Sequence, residues 1–233
     1  MRYKSASDRY KELFGEKTYK LALEGGVTCP NRDGTKGVGG CIFCGEEGSG
    51  DFAEKRENFA CKSDSEVFSA QIERAIQRLD GKTKCKKFIA YFQSFTSTYM
   101  PAKEFERMLA PAACDERIVA VSVATRPDCI PDDVLKILSD FNKKKKVFVE
   151  LGLQTSNDDT AKLINRGYAL SEYTDAAMRL RRENIETVTH IIIGLPGENL
   201  TDYIKTVRCA CENTDGVKLQ LLHVLRGTKL SLM

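Results

Sequence analysis

Three cysteines, Cys29, Cys41 and Cys44, stand in the order C-x11-C-x2-C inside a glycine-rich stretch that runs from Gly25 to Cys44. A C-x2-C pair brings two thiolates to one metal centre, because the tight turn between them points both sulfurs inward. Gly25, Gly26, Gly34, Gly37, Gly39 and Gly40, with Pro30, let this backbone wrap a bulky inorganic group where larger side chains would collide. Structural zinc is the usual meaning of such a pair, but zinc sites of that kind close with four ligands. The nearest further thiol is Cys61, and both histidines, His190 and His223, are far downstream. An iron–sulfur cluster held by three thiolates would instead leave one iron open to a substrate or cofactor. Spacing alone leaves zinc and cluster both open.

Composition narrows the setting. The chain has 233 residues, 42% of them hydrophobic and 30% charged, which suits one large globular domain or two small ones. No apolar run approaches the roughly 18 residues that span a bilayer, and Met1-Arg2-Tyr3-Lys4-Ser5 is no signal peptide. Nine cysteines, an odd number, without a secretion signal point to a reducing cytoplasm and away from disulfides. The net charge of +3 is too small to demand a nucleic-acid partner. Lys143-Lys144-Lys145-Lys146 reads as a solvated loop at the end of the fold away from the cysteines.

The elements that must position the thiols alternate along the chain. Residues 1–18 form a polar, partly helical lead-in with Tyr3, Tyr10, Leu13 and Phe14 as anchors, and a strand at Tyr19–Glu24 leads into the cysteine loop. Ser63-Asp64-Ser65-Glu66 is a capping box opening a helix. Strands are predicted at Lys87–Gln93, Arg117–Thr125, Lys146–Gln154, Thr187–Gly194 and Gly216–Leu222. Helices are predicted between them at Lys103–Ala113, Asp132–Asn142, Glu172–Glu183 and Thr201–Glu212, with a short helical turn over Asp158–Asn165. Strands that alternate with helices imply parallel pairing.

Strand parity adds a cavity. Val119, Val121 and Val123 alternate with Ile118, Ala120, Ser122, Ala124 and Arg126, while Val147, Val149, Leu151 and Leu153 alternate with Phe148, Glu150, Gly152 and Gln154. Likewise Phe88, Ala90 and Phe92 oppose Tyr91 and Gln93. The aliphatic faces suit helices, whereas polar groups buried there unpaired would cost a few kcal/mol each. A curved sheet with a polar concave side accommodates both faces. A complete eightfold barrel typically takes about 250 residues, so six units predict a partial (β/α)6 barrel in a single domain spanning residues 1–233. Its active face lies at the carboxyl ends of the strands, beside the cysteine loop, and that placement favours the cluster over zinc. An Arg126–Glu150 ion pair is the purely structural alternative for those two side chains.

The wording Cys29-Pro30-Asn31-Arg32-Asp33-Gly34-Thr35, then Gly39-Gly40-Cys41-Ile42-Phe43-Cys44, resembles the radical S-adenosylmethionine (SAM) superfamily, in its YhcC/YtqA-type branch related to the elongator catalytic subunit. The resemblance continues through Gly48-Ser49-Gly50-Asp51-Phe52, Tyr91-Phe92-Gln93-Ser94, Thr125-Arg126-Pro127-Asp128 and Glu150-Leu151-Gly152-Leu153-Gln154. It goes on to Asn165-Arg166-Gly167, Gly194-Leu195-Pro196-Gly197-Glu198 and His223-Val224-Leu225-Arg226-Gly227-Thr228. It implies a 4Fe–4S cluster on Cys29, Cys41 and Cys44 whose open iron binds SAM, and radical chemistry begun by a one-electron donor such as flavodoxin or ferredoxin.

It implies SAM contacts at Gln93 and Ser94 for the amino group, without the commoner G-G-E motif, and at Glu150 and Gln154 for the ribose or amino group. Arg166 would meet the SAM carboxylate, Arg126 would join the same site, and the backbone of Gly194 and Pro196 would lie beside the adenine. Tyr168 stands where relatives usually carry His. The implied substrate is a tRNA wobble-uridine side chain; radical chemistry on a protein or small metabolite, and a non-catalytic metal scaffold, are the alternatives. Relatives continue beyond the His223–Thr228 segment, so the chain is expected to lack their C-terminal extension. Cys61, Cys85, Cys114, Cys129, Cys209 and Cys211 look dispersed and form no second cluster.

Overall fold

In a computed structural model, which describes residues 3–46, 48, 53–55, 63–81 and 83–233, six strands form one sheet in the order β1-β2-β3-β4-β5-β6. The strands are β1 Tyr19–Leu23, β2 Phe88–Phe92, β3 Ile118–Thr125, β4 Lys146–Gln154, β5 Glu186–Ile193 and β6 Gly216–Leu221. Every neighbouring pair is parallel. The helices are α1 Ala6–Phe14, α2 Asp64–Gln77, α3 Ala102–Cys114, α4 Asp132–Asn142, α5 Asp158–Leu163, α6 Leu170–Arg182 and α7 Leu200–Asn213. The sheet curls into a half-barrel, as the alternating elements predict. The Gly48–Phe52 motif, Gly48 apart, and Cys61 lie outside the described residues.

Local chemistry starts the helices where the sequence places them. Ser63 and Glu66 form the capping box of α2, and Asn199 with Asp202 does the same for α7. The helical turn predicted to reach Asn165 stops at Leu163, and Asn165 takes a left-handed backbone (φ 54°), which Asn tolerates better than most residues.

The main core lies between the sheet and its helices. It contains Phe88, Ala90 and Phe92 of β2, Val121 and Val123 of β3 and all four odd-numbered aliphatics of β4. One parity assignment needs correction: Ile118 packs on this helix side and not toward the cavity. The β2–β3 register slips between Phe88 and Ile89, so that Phe88 faces Ile118 while Ile89 faces Ala120. Val119 is passed over, and the faces exchange at that bulge.

On the concave side, near the amino ends of the strands, Ile89, Ala120 and Phe148 form a small separate core against Tyr10, Leu13 and Phe14 of α1. The Tyr10 ring meets Phe148 edge-on with centroids 5.5 Å apart. Arg9 makes a bidentate pair to Glu186 of β5, at 3.0 and 2.9 Å. The lead-in is therefore a plug for the lower end of the half-barrel. Tyr3 takes no part in it and is 75% exposed.

Candidate active site

β1 ends at Leu23, and the chain enters the cysteine loop at the carboxyl edge of the sheet. Cys44 N–H donates to Cys41 O at 3.0 Å, which closes the C-x2-C turn, and Arg32 N–H donates to Cys29 O at 2.8 Å. Gly39 and Gly40 both take left-handed backbones (φ 77° and 73°) just before Cys41, a path that a side chain would strain. The Arg32 guanidinium donates to Cys44 O at 3.1 Å and to Gly45 O, and lies over the Phe95 ring. Ile42 is gripped from both sides, its N–H donating to Ile164 O and its carbonyl accepting from Leu230 N–H.

All three cysteines line one cavity of about 510 Å³ at the mouth of the half-barrel. Burial pushes the Cys41 thiol up to about 12, with the neighbouring Cys44 adding to the shift. Such a thiol ionises only against a compensating positive centre, which is what a metal supplies. Among the described residues, no three His, Cys, Asp or Glu side chains converge on a single metal ion. Three thiols around one cavity, with no fourth protein ligand among the described residues, fit a centre larger than one ion, with one coordination position left to a ligand. A larger cleft of about 850 Å³ lies between the cysteine loop, the 3-10 turn Pro127–Cys129 and α6, and contains none of the three thiols.

The cavity that holds the three thiols also gathers Gln93, Arg126, Glu150, Gln154 and Arg166. Gln93 follows β2, its N–H donating to Leu23 O at 3.2 Å. Gln154 ends β4 with a left-handed backbone (φ 61°), its side-chain oxygen accepting from Tyr168 Oη at 3.2 Å. Phe95 shares that unusual backbone (φ 53°) and lines the same cavity, and Asn165 (φ 54°) directly precedes Arg166 of its wall. Such outliers persist where the surroundings over-determine them, commonly at ligand sites. Ser94 is buried next to Phe95, and Gly194 and Pro196 also lie off the cavity wall, which Ile192 and Leu222 form instead.

Two arginines differ from expectation. Arg126 leaves Glu150 alone and pairs with Asp128 at 2.9 Å, because it follows β3 directly and turns toward the adjoining 3-10 turn. It also donates to Arg166 O at 2.8 Å and lies over the Tyr168 ring, leaving donors for a further partner. Arg166 is fully buried, and its five N–H groups are all used. They reach Leu153 O, Thr155 O, Tyr168 O (twice) and Asp158 at 2.6–3.1 Å. It acts as a clamp between β4 and the following loop, with no donor left for the SAM carboxylate.

Glu150 lies on the same face as Gln154 but four residues earlier, about 13 Å deeper along the strand. There it accepts from Lys20, from Ser122 Oγ at 2.6 Å and from His190 Nε2 at 2.5 Å, with Lys218 Nζ at 3.9 Å. Burial alone would raise this carboxyl; hydrogen bonds from His190 and Lys20 outweigh it and hold the group well below the usual carboxylate range. Burial also lowers His190, against the pull of Glu150. A neutral His190 donating from Nε2 to an ionised Glu150 satisfies both shifts.

His190, Lys218, Gln220 and His223 complete this wall. Their signal was the period-two pattern: Gly152 registers with His190, and His190 with Lys218, so one concave row continues across β4, β5 and β6. Remoteness in sequence hid both histidines, which line the same cavity as the cysteines.

Comparison with known proteins agrees with this architecture. The chain matches the family model described as the radical SAM superfamily over residues 26–210. It is 40% identical over 230 residues to the uncharacterized protein YtqA of Bacillus subtilis, covering 98% of this chain and 69% of that one. It is 32% identical over 118 residues to the tRNA uridine(34) acetyltransferase of Dehalococcoides mccartyi, covering 49% of this chain and 25% of that protein. Among solved structures, Elp3 of Methanocaldococcus infernus shares the fold with a TM-score of 0.62 at 18% identity, over 93% of this chain and 48% of that one. The chain thus spans about two thirds of the length of YtqA and about half that of the solved Elp3 chain. With its three thiols at the mouth of a six-stranded parallel half-barrel, this chain belongs to the radical SAM superfamily, whose enzymes use a 4Fe–4S cluster and S-adenosylmethionine.

Proposed function

We propose that this chain is the catalytic core of a radical SAM enzyme that modifies the side chain of a tRNA wobble uridine. The observation that carries the reaction class is the shared cavity: Cys29, Cys41 and Cys44 meet Gln93, Arg126 and Gln154 at the carboxyl ends of parallel strands. When bound, the cluster and SAM supply one-electron cleavage of a sulfonium C–S bond and a 5′-deoxyadenosyl radical that takes a hydrogen atom from substrate. The three thiolates hold the cluster, and Arg32 and Asn31 fix the loop that carries them.

Gln93 and Gln154 offer amide groups to the amino and ribose groups of SAM, and Arg126 offers the cationic contact to its carboxylate in place of the fully engaged Arg166. The backbone around Gly194 and Pro196, and Ser94 beneath Gln93, support that binding site from outside the cavity wall. The group formed by Tyr91, Glu150, His190 and Lys218 lies deeper and orients the substrate. Electrons come from flavodoxin, ferredoxin or a comparable low-potential donor, in the cytoplasm.

The uridine reading is supported by the likeness to the elongator branch and to a protein named for uridine(34) of tRNA. Anaerobic reconstitution with iron and sulfide, followed by SAM and dithionite, is expected to release 5′-deoxyadenosine. A colourless, zinc-loaded protein that leaves SAM intact overturns the reaction class. Mass analysis of tRNA nucleosides from cells with and without the protein tests the substrate, and identical profiles reject tRNA.

A further inference from the structure

Asn31 is 1% exposed, and its side chain sits directly against the cysteine loop. Its Nδ2 donates to Asn165 O at 2.5 Å and to Cys41 Sγ at 3.8 Å. Both partners are acceptors, so the amide can face only one way. The consequence is an orphan: Oδ1 is buried without a hydrogen-bond partner. A buried acceptor left unsatisfied is unfavourable, so this orientation is held by the bonds that Nδ2 makes on the other side.

Two glycines from different parts of the chain make room for it. A Cβ on Gly37 would overlap Oδ1, and one on Gly167 would lie 2.9 Å from it. Backbone and side-chain bonds then lock the arrangement around Cys41. Gly40 N–H donates to Asn31 O at 2.8 Å, and Asn165 Nδ2 donates to Gly40 O at 2.8 Å. The asparagines of Asn31-Arg32-Asp33-Gly34 and Asn165-Arg166-Gly167 therefore interlock on either side of a single thiol. Packing alone would be met by an apolar residue of similar size without the orphaned oxygen. Two features need an amide, the N–H given to Asn165 O and the N–H directed at sulfur, and the first aims the second at Cys41.

We propose that Asn31 sets the reduction potential of the bound cluster by donating this N–H to the Cys41 sulfur, with Gly37 and Gly167 holding the amide in place. A donor directed at a cluster sulfur stabilises the negative charge added on reduction, so it raises the potential and eases electron uptake. Asn31 is thus a positioning and tuning residue. The proposal rests on the cluster reading above.

The test is a potentiometric titration of the reconstituted protein, with the reduced cluster followed by electron paramagnetic resonance. Asn31→Ala, loaded to the wild-type iron and sulfide content, is expected to shift the reduction equilibrium about tenfold toward the oxidised state, 59 mV for one electron. Gly37→Ala keeps the amide but displaces it, and is expected to shift the potential in the same direction. In the double variant the added methyl meets no Oδ1, so the shift should not exceed that of Asn31→Ala alone. Loaded variants with the wild-type midpoint, or additive shifts, overturn the proposal. A wild-type chain that binds no iron overturns the cluster reading instead, so the two failures are distinct.

Discussion

At the scale of single residues, burial decides which charges are structural and which remain available to a ligand. Arg166 satisfies three backbone carbonyls and Asp158 with all its donors. Lysine has three donors on a flexible stem and cannot reproduce that fork. Arg166→Lys is therefore expected to lower stability by about 3 kcal/mol in urea unfolding, through acceptors left unmade. The Glu150–His190 pair sets the pH response. His190 is held below its ordinary 6.5 by burial, so below that pH the unfolded chain binds the proton first and stability falls.

Glu150 and Asp128 are held below their ordinary 4.5 and 3.8 despite burial, by hydrogen bonds from His190 and Lys20, and from Arg126 and Lys36. Their contribution is complete above those values and is lost as pH falls toward their folded ones. A series of urea titrations should show one decline beginning near pH 6.5 and a second below about 4.5. His190→Gln should abolish the first and retain the second.

At the scale of elements, α1 does more than lead into the sheet. Its apolar side caps the lower barrel through Tyr10, Leu13 and Phe14 against Ile89, Ala120 and Phe148, while Arg9 ties it to β5. Tyr10→Ala removes the ring that meets Phe148 edge-on and opens the lower end of the barrel, an expected loss of about 3 kcal/mol by urea unfolding. Tyr3→Ala, at a 75% exposed position, should stay within about 0.5 kcal/mol of the parent. Element order, strand parity and helix starts were legible in the sequence because they depend on local periodicity and caps. The bulge that turns Ile118 to the helix side was not, because it depends on how β2 pairs with β3. Nor was the Arg126–Asp128 pair, which forms only once Pro127 turns the chain after β3.

At the scale of the molecule, the described sheet ends at β6, whose Leu219 and Leu221 are 59% and 70% exposed. An exposed apolar edge strand favours self-association. Replacing both leucines by lysine should reduce light scattering at high protein concentration without lowering the urea midpoint of the core; unchanged scattering would show that this edge does not drive association. No helix among the described residues is long and apolar enough to cross a membrane.

By itself the sequence determined the three-thiol motif, the parallel α/β class and the polar concave faces, since each rests on near neighbours or a repeating period. Only the tertiary structure decided which residues share the cavity with those thiols. It brought in His190 and Lys218 from the far strands and His223 from the segment after β6, set Glu150 well below Gln154 and used up every donor of Arg166. The sequence showed three thiols without a fourth ligand. The fold turned them toward an open cavity and placed Asn31 behind one of them, because contacts across 134 positions arise only when the sheet closes.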